Sequence, residues 1–290
     1  MSAEFHLFLP QMRMTHDAIV ERARVAEAAG FAGIAFMDHL APPLADDQDM
    51  WEALSIAGWV LAHTTTLTVG HLVLCDALRH PAMLARQVTS LDHASGGRFE
   101  LGIGWGSVPE ELATFGVGST DAPERVSRLA ETLAVLRALW SGEPVDYAGD
   151  HFTLKGAQQR PVPTRTIPIT IGGTGVRTLA LVREYADWWN VPLHQLDRLD
   201  ERRPQAGAAR VSMQQMVALV PSESERDTVR STALRRFGGM GPVIGTEAEL
   251  VDHFRGLTDR GVERFYVWFA DFALVATLEG FGGVIAEVAR

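Results

Sequence analysis

Gly33-Ile34-Ala35-Phe36-Met37-Asp38-His39 carries a short apolar run straight into an ionisable pair, and the proline-marked loop Ala41-Pro42-Pro43 follows at once. A brief apolar run bounded by turn residues reads as a buried strand. A strand that ends in titratable groups suits an α/β barrel, whose chemistry sits on the loops after the strands.

Outward from this stretch the same alternation recurs. On the N-terminal side, Phe5 to Leu9 predicts a strand closed by Pro10. Thr15 as N-cap, with Ile19, Ala23 and Ala26 at helical spacing, predicts a helix ending at Gly30. On the C-terminal side the pattern predicts a helix over 51–62, a strand over 67–74, a helix over 80–93 with Pro81 in its first turn, and a strand over 98–103. A connection over 104–123 leads into an amphipathic helix over 124–140. Between 141 and 168 periodicity is lost, and Gly142, Pro144, Gly149, Gly156, Pro161, Pro163 and Pro168 predict an insertion forming a hairpin or irregular excursion. A strand over 167–171, a helix through Ala186 and a short strand over 188–191 follow, while 193–209 is polar and unassigned. Strands over 216–220 and 265–269 then enclose helices over 223–236 and 247–260, the latter capped by Thr246. This order predicts a parallel sheet with right-handed crossovers, and its count approaches eight units. The fold class is therefore α/β, a TIM (β/α)8 barrel with an insertion segment, as a single domain over 1–290. An open doubly wound sheet is the structural alternative.

The chain has 290 residues, 47% of them hydrophobic, enough for one large α/β domain or two smaller ones. Its 26 basic and 36 acidic residues give a net charge of -10, which repels phosphate backbones and argues against a nucleic-acid partner. No apolar stretch reaches the roughly 20 residues needed to cross a bilayer, so no membrane partner is expected. Met1-Ser2-Ala3-Glu4 leads directly into a strand-like run without the features of a secretory signal, and a cytoplasmic location is expected. Cys75 is the single cysteine, which excludes an intrachain disulfide, a cysteine-based zinc cage and a CxxC redox motif. Ten histidines without HExxH spacing, and no EF-hand loop, predict no metal site.

Three further strand ends have unusual composition. In Gly70-His71-Leu72-Val73-Leu74 the glycine marks a bulge or a close approach of backbone to ligand, or simply the entry to a strand. Gly102-Ile103-Gly104-Trp105-Gly106-Ser107 places a flat apolar ring beside open backbone, as a planar heterocycle requires; the plainer reading is a tight turn with Trp105 plugging the barrel mouth. Ile171-Gly172-Gly173-Thr174-Gly175 joins a strand to a helix, where backbone N–H groups, the helix dipole and the Thr174 hydroxyl suit a phosphate; the plainer reading is again a tight turn. It matches neither the Walker pattern nor GxGxxG. His80 reads as a helix cap and His93 as a cation at a helix end. Glu110 and Glu111 follow the tryptophan turn within reach of the pocket, although acids at a helix start ordinarily complement the dipole.

Together Asp38-His39, Arg79-His80-Pro81-Ala82, Leu91-Asp92-His93-Ala94-Ser95-Gly96-Gly97-Arg98, Leu101-Gly102-Ile103-Gly104-Trp105-Gly106, Pro168-Ile169-Thr170-Ile171-Gly172-Gly173 and Ala186-Asp187-Trp188-Trp189-Asn190 resemble the luciferase-like monooxygenase superfamily. The order is kept from the first strand to the last, with Ile244-Gly245-Thr246 before the final unit. The resemblance implies a TIM barrel with an excursion, here 141–168, and a bound F420 deazaflavin or, alternatively, FMN. It implies that the ring lies against Gly70 to Val73, with a non-prolyl cis peptide at Leu72-Val73, and that phosphate contacts come from Trp105-Gly106-Ser107 and Gly172-Gly173-Thr174-Gly175. Barrel phosphate sites ordinarily follow strands 7 and 8, so this mid-chain position comes from the resemblance alone. Gly104 joins the implied cofactor-binding residues.

The acid-histidine pair resembles the deazaflavin-dependent dehydrogenases and reductases, which implies His39 as the catalytic acid/base and Asp38 as a cofactor ligand or an orienter of the loop. An imidazole with an unperturbed pKa of about 6.5 suits that exchange. Where some of those dehydrogenases carry a second catalytic glutamate, this chain has Ser107. The expected function is F420-dependent hydride transfer to or from a small organic substrate. A reduced-FMN-dependent monooxygenase, a non-catalytic flavin-binding barrel, and a sugar-phosphate isomerase or aldolase are alternatives, the last having only Lys155, in the excursion, as a Schiff-base lysine. Family members often dimerise, so a homodimer is the implied assembly.

Overall fold

A computed structural model describes residues 3–43, 45 and 47–289. Among the described residues there are twelve strands: β1 (Glu4–Phe8), β2 (Gly33–Phe36), β3 (Thr68–His71), β4 (Leu74–Cys75), β5 (Leu101–Gly104), β6 (Val145–Ala148), β7 (Thr153–Ala157), β8 (Ile169–Gly172), β9 (Trp188–Val191), β10 (Arg210–Leu219), β11 (Val243–Gly245) and β12 (Arg264–Phe269). The α-helices are α1 (His16–Ala28), α2 (Ala53–His63), α3 (Pro81–Ser95), α4 (Pro109–Phe115), α5 (Ala122–Leu139), α6 (Val176–Tyr185), α7 (Leu199–Arg202), α8 (Arg226–Phe237), α9 (Glu247–Asp259) and α10 (Val275–Val288).

The main sheet runs β3-β2-β1-β12-β10-β9-β8-β5-β4, with β11 beside β10. All of its ladders are parallel. The ring closes because β3 and β4 belong to one broken strand. On one side β3 pairs with β2; on the other, Val69 exchanges backbone bonds of 2.9 and 3.0 Å with Arg98 and Glu100, and Leu74 pairs with Ile103. The result is the expected eight-stranded barrel rather than an open sheet. The excursion contains the antiparallel hairpin β6–β7, outside the ring.

Inward-pointing side chains of β1 and β12 stack in three layers. Arg264 bonds Glu4 at 2.7 Å and Glu100 at 2.6 Å at the bottom, the His6 and Tyr266 rings meet at 5.3 Å in the middle, and Phe8 meets Trp268 at 5.3 Å near the top. The apolar faces of the helices pack outside this ring. Among the described residues no helix is long and apolar enough to cross a membrane.

Three elements exceed the sequence reading. β10 begins at Arg210 rather than near 216, because the inward polar residues Ser212 and Gln214 interrupt its apolar run. The short helix α4 lies inside the expected connection. Helix α10 contains Gly280, Gly282 and Gly283, which depress helix propensity, yet a Cβ on Gly282 would crowd the Ala29 carbonyl oxygen at 3.1 Å. The glycines let α10 lie close against α1 and α9.

Buried ionisable groups make the fold sensitive to acid. Burial opposes ionisation of Glu4, but hydrogen bonding and charge from His6 and Arg264 prevail and hold its carboxyl at about 2. Burial pushes the His71 imidazole down to about 4 against its bond to the Ala53 carbonyl. Between pH 6.5 and 4 the unfolded chain therefore takes up a proton that folded His71 refuses. The stabilisation from Glu4 is complete above about pH 4.5 and disappears as pH falls toward 2. Scanning calorimetry is expected to show Tm falling steadily from neutral pH to pH 4; a flat or rising Tm would contradict these assignments.

Candidate active site

The chain leaving β2 is clamped from two sides. Gln11 holds Met37 through both backbone groups, donating to its carbonyl at 2.6 Å and accepting from its N–H at 3.1 Å. Asp38, only 6% exposed, accepts from the Cys75 N–H at 2.7 Å and from both terminal nitrogens of Arg79, at 2.5 and 3.0 Å. Arg79 also reaches Glu52 at 2.7 Å. Both Asp38 oxygens are thus engaged within the protein. From α5, Arg128 bonds the carbonyls of Asp76 and Arg79, and Arg125 donates to the Gly106 carbonyl at 2.8 Å while lying 4.8 Å over the Trp105 ring.

His39 follows directly. Its Nδ1 lies 2.9 Å from Glu111 Oε2, and the other Glu111 oxygen accepts from the Leu40 and Ala41 N–H groups at 2.6 and 3.1 Å. Glu111 stands in the first turn of α4, as a dipole-complementing acid would, but its side chain holds the histidine loop. In the sequence, its position just after the tryptophan turn puts Glu111 within reach of the pocket, but the paired acids Glu110-Glu111 also have an ordinary explanation at a helix start, and nothing local points to His39. The side chains of His39 and Glu111 are 19% and 12% exposed. A carboxylate at Nδ1 favours the tautomer protonated there, leaving Nε2 as the exchangeable nitrogen. Among the described residues Nε2 has no hydrogen-bond partner.

These groups border a cavity of about 470 Å³ at the C-terminal end of the barrel. One wall is Leu72, Val73 and Leu74, with the Leu72–Val73 peptide cis, as the resemblance implied. A second is Gly104-Trp105-Gly106-Ser107 after β5, and a third is Gly172-Gly173-Thr174-Gly175 after β8, the fifth barrel strand. Two glycines are there for space: a Cβ on Gly104 would lie 2.8 Å from a Val73 methyl, and one on Gly106, at φ +86, would lie 2.9 Å from Cys75 Sγ. The third turn is fixed by the Trp189 indole, which donates to the Gly173 carbonyl at 2.8 Å. It opens into α6, whose N-cap Gly175 offers no side-chain cap, so first-turn N–H groups are free of one.

Every residue expected at the site borders this cavity except Gly70. Gly70 lies deeper, in a small void with His6, His71, Glu100 and Tyr266. A Cβ there would meet the Glu100 carbonyl oxygen at 2.9 Å, so the missing side chain permits the close β3–β5 approach. Leu44 and Asp46, in the 41–50 loop, lie outside the described residues. His80 caps α3, accepting from Ala82 N–H at 3.2 Å, and Lys155 sits in β7, outside the cavity lining. Among the described residues no group of three or more His, Cys, Asp or Glu is placed to hold a metal ion.

Comparison with known proteins agrees with this geometry. The chain is 34% identical over 164 residues to an F420-dependent glucose-6-phosphate dehydrogenase of Microbacterium testaceum, a match covering 56% of this chain and 48% of that enzyme. It is 32% identical over 178 residues to an F420-dependent hydroxymycolic acid dehydrogenase of Mycobacterium tuberculosis, covering 60% of this chain and 48% of the other. The chain thus spans about half the length of these curated relatives. In structure it is similar to an F420-dependent secondary alcohol dehydrogenase solved with an F420-acetone adduct, at a TM-score of 0.82, 21% identity and 99% coverage of both chains. Residues 2–224 match the family model described as luciferase-like monooxygenase, and the chain belongs to that family.

Proposed function

We propose that this protein is an F420-dependent oxidoreductase that moves hydride between the deazaflavin and a small organic substrate, with His39 as the acid/base. The observation that carries this reading is the His39–Glu111 pair at 2.9 Å, on the border of a cavity bounded by apolar side chains and glycine-rich backbone. The F420-dependence of the relatives supports the same choice of cofactor.

The residues present fit such a group. Leu72 to Leu74 offer an apolar wall to a planar ring, and the two glycine turns expose backbone without side chains in the way. Ser107, Thr174 and the first turn of α6 offer hydroxyl and N–H donors for phosphate. The bound deazaflavin supplies the two-electron hydride chemistry. His39 takes or returns the substrate proton at Nε2, while Glu111 keeps the ring oriented and balances its charge when both nitrogens are protonated. Asp38 is a positioning residue, holding the backbone from which His39 projects. Ser107 has no charge to offer as a second acid; Glu111 is the carboxylate in contact with His39.

We extend the reading to a cytoplasmic enzyme acting as a homodimer. A reducing compartment suits Cys75, which is buried, its thiol pushed up to about 11 chiefly by burial, so it stays protonated and unreactive at neutral pH.

Titration with both cofactors tests the proposal: saturable F420 binding is expected, and tight FMN binding without F420 binding would sink it. His39→Ala is expected to lower kcat by about 10²- to 10⁴-fold with F420 affinity retained; an unchanged rate would remove its role. Glu111→Gln is expected to lower kcat about tenfold, and a loss of Tm alone would reduce Glu111 to a structural tie. Asp38→Asn, which leaves Glu52 as the one carboxylate among the described residues paired with Arg79, is expected to cost about 1–3 kcal/mol in urea unfolding.

A further inference from the structure

Among the described residues, only three residues other than glycine have positive φ: Arg13 (60°), Phe272 (62°) and Ala273 (56°). Two of them meet at one place. Arg13 follows β1 and Phe272 follows β12, both at the C-terminal end of the barrel, and Arg13 lies 5.8 Å from the centre of the Phe272 ring. Arg236, in the last turn of α8, lies 3.4 Å from the same centre. Backbone held in a costly conformation is retained where the surroundings demand it, and such positions gather at ligand sites.

Two guanidinium groups therefore share one aromatic ring, and among the described residues neither has a carboxylate within ion-pair distance. Among the described residues the Arg236 side chain donates one hydrogen bond, to the Ala270 carbonyl at 2.9 Å. Asp271 is close in sequence to Phe272, but its oxygens accept from the Ala273 N–H at 3.0 Å and the Thr277 hydroxyl at 2.5 Å. Burial, with the Arg13 charge adding to it, holds Arg236 down at about 10 against the pull of Asp271. Asp271 offsets part of this charge from a distance while its oxygens are bonded elsewhere, so the two guanidinium groups share the ring with no carboxylate in contact, and a bound anion supplies that contact.

The pair reaches the cavity wall through packed side chains. Arg236 lies 5.7 Å from the Trp268 ring, whose indole N–H is buried and unpartnered. Trp268 packs with Leu72 against the Phe8–Met37 cluster, and Leu72 also lines the cavity beside His39. Within the cavity lining the ionisable side chains are Asp38, His39 and Glu111, so the lining offers an anion backbone and hydroxyl donors but no lysine or arginine, which the arginine pair supplies.

We propose that Arg13 and Arg236 bind the anionic end of the substrate at the barrel mouth, and that the substrate is a small organic oxyanion whose apolar body runs along Trp268 toward His39. The identification of this anion as part of a substrate rests on the proposed oxidoreductase function. Carboxylate and phosphate share the required chemistry.

The test is calorimetric titration of the F420-loaded protein with hexanoate, inorganic phosphate and, as a neutral control, 1-hexanol. Saturable binding of at least one anion is expected, weakened at least tenfold in both Arg13→Gln and Arg236→Gln and partly kept in Arg236→Lys, with hexanol equal in all forms. Tighter hexanoate identifies a carboxylate, tighter phosphate a phosphate. Anion binding that is absent, or the same in every variant, would overturn the proposal. Arg13 is exposed, so its variant separates lost binding from misfolding, and circular dichroism checks Arg236→Gln. If F420 itself does not bind, the oxidoreductase reading fails, and the same titration of the unloaded protein still decides the arginine pair.

Discussion

The buried Asp38 carboxylate is the tie on which the site depends. Its contacts with Cys75 N–H and Arg79 join the end of β2 to the far side of the interrupted strand β3–β4. A charge this deep is tolerable only when paired and hydrogen-bonded, so the loops that supply its partners are held in place by the cost of separating them. Arg128 then fixes Asp76 and Arg79 from α5, and Arg125, one helical turn away, fixes the tryptophan turn. Three top-face loops are thus oriented by one chain of arginine contacts.

His39 inherits its position from that frame, one residue beyond Asp38. The two neighbours differ: both oxygens of the acid are bonded within the protein, while the histidine ring has one nitrogen bonded to Glu111 and, among the described residues, the other without a partner. Glu111 completes the arrangement from the opposite loop and locks the backbone at Leu40 and Ala41 as well as the ring. Proton transfer at a fixed nitrogen beside a planar cofactor is what this geometry suits. The remaining walls combine the apolar side chains of Leu72 to Leu74 and Trp105 with the glycine-rich turns after β5 and β8, and none of these adds a charge.

Much of this was legible in the sequence because it rests on local rules. Alternating strand and helix periodicities predicted the barrel, and the glycine turns after β5 and β8 announced the open backbone that borders the cavity. The parts that were not legible depend on contacts between distant segments. Gly70 and Gly104 look alike in sequence, but only the packing shows that one faces Glu100 inside the barrel and the other borders the cavity. Glu111 has a sufficient local explanation as a first-turn acid, and its partner lies 72 residues away. In α10, glycine suppresses the helical signal for the sake of close packing against α1. The Arg13–Phe272–Arg236 group joins residues from both ends of the chain and has no sequence signature.

The account stands most directly on the state of His39. Nitrogen-15 NMR of the protein labelled in its histidines, with His39 assigned by the His39→Ala variant, reads which ring nitrogen carries the proton in the neutral form. The account predicts the Nδ1-protonated tautomer, with Nε2 unprotonated, and its loss in Glu111→Gln. Neutral His39 protonated at Nε2, unaltered by that substitution, would contradict it.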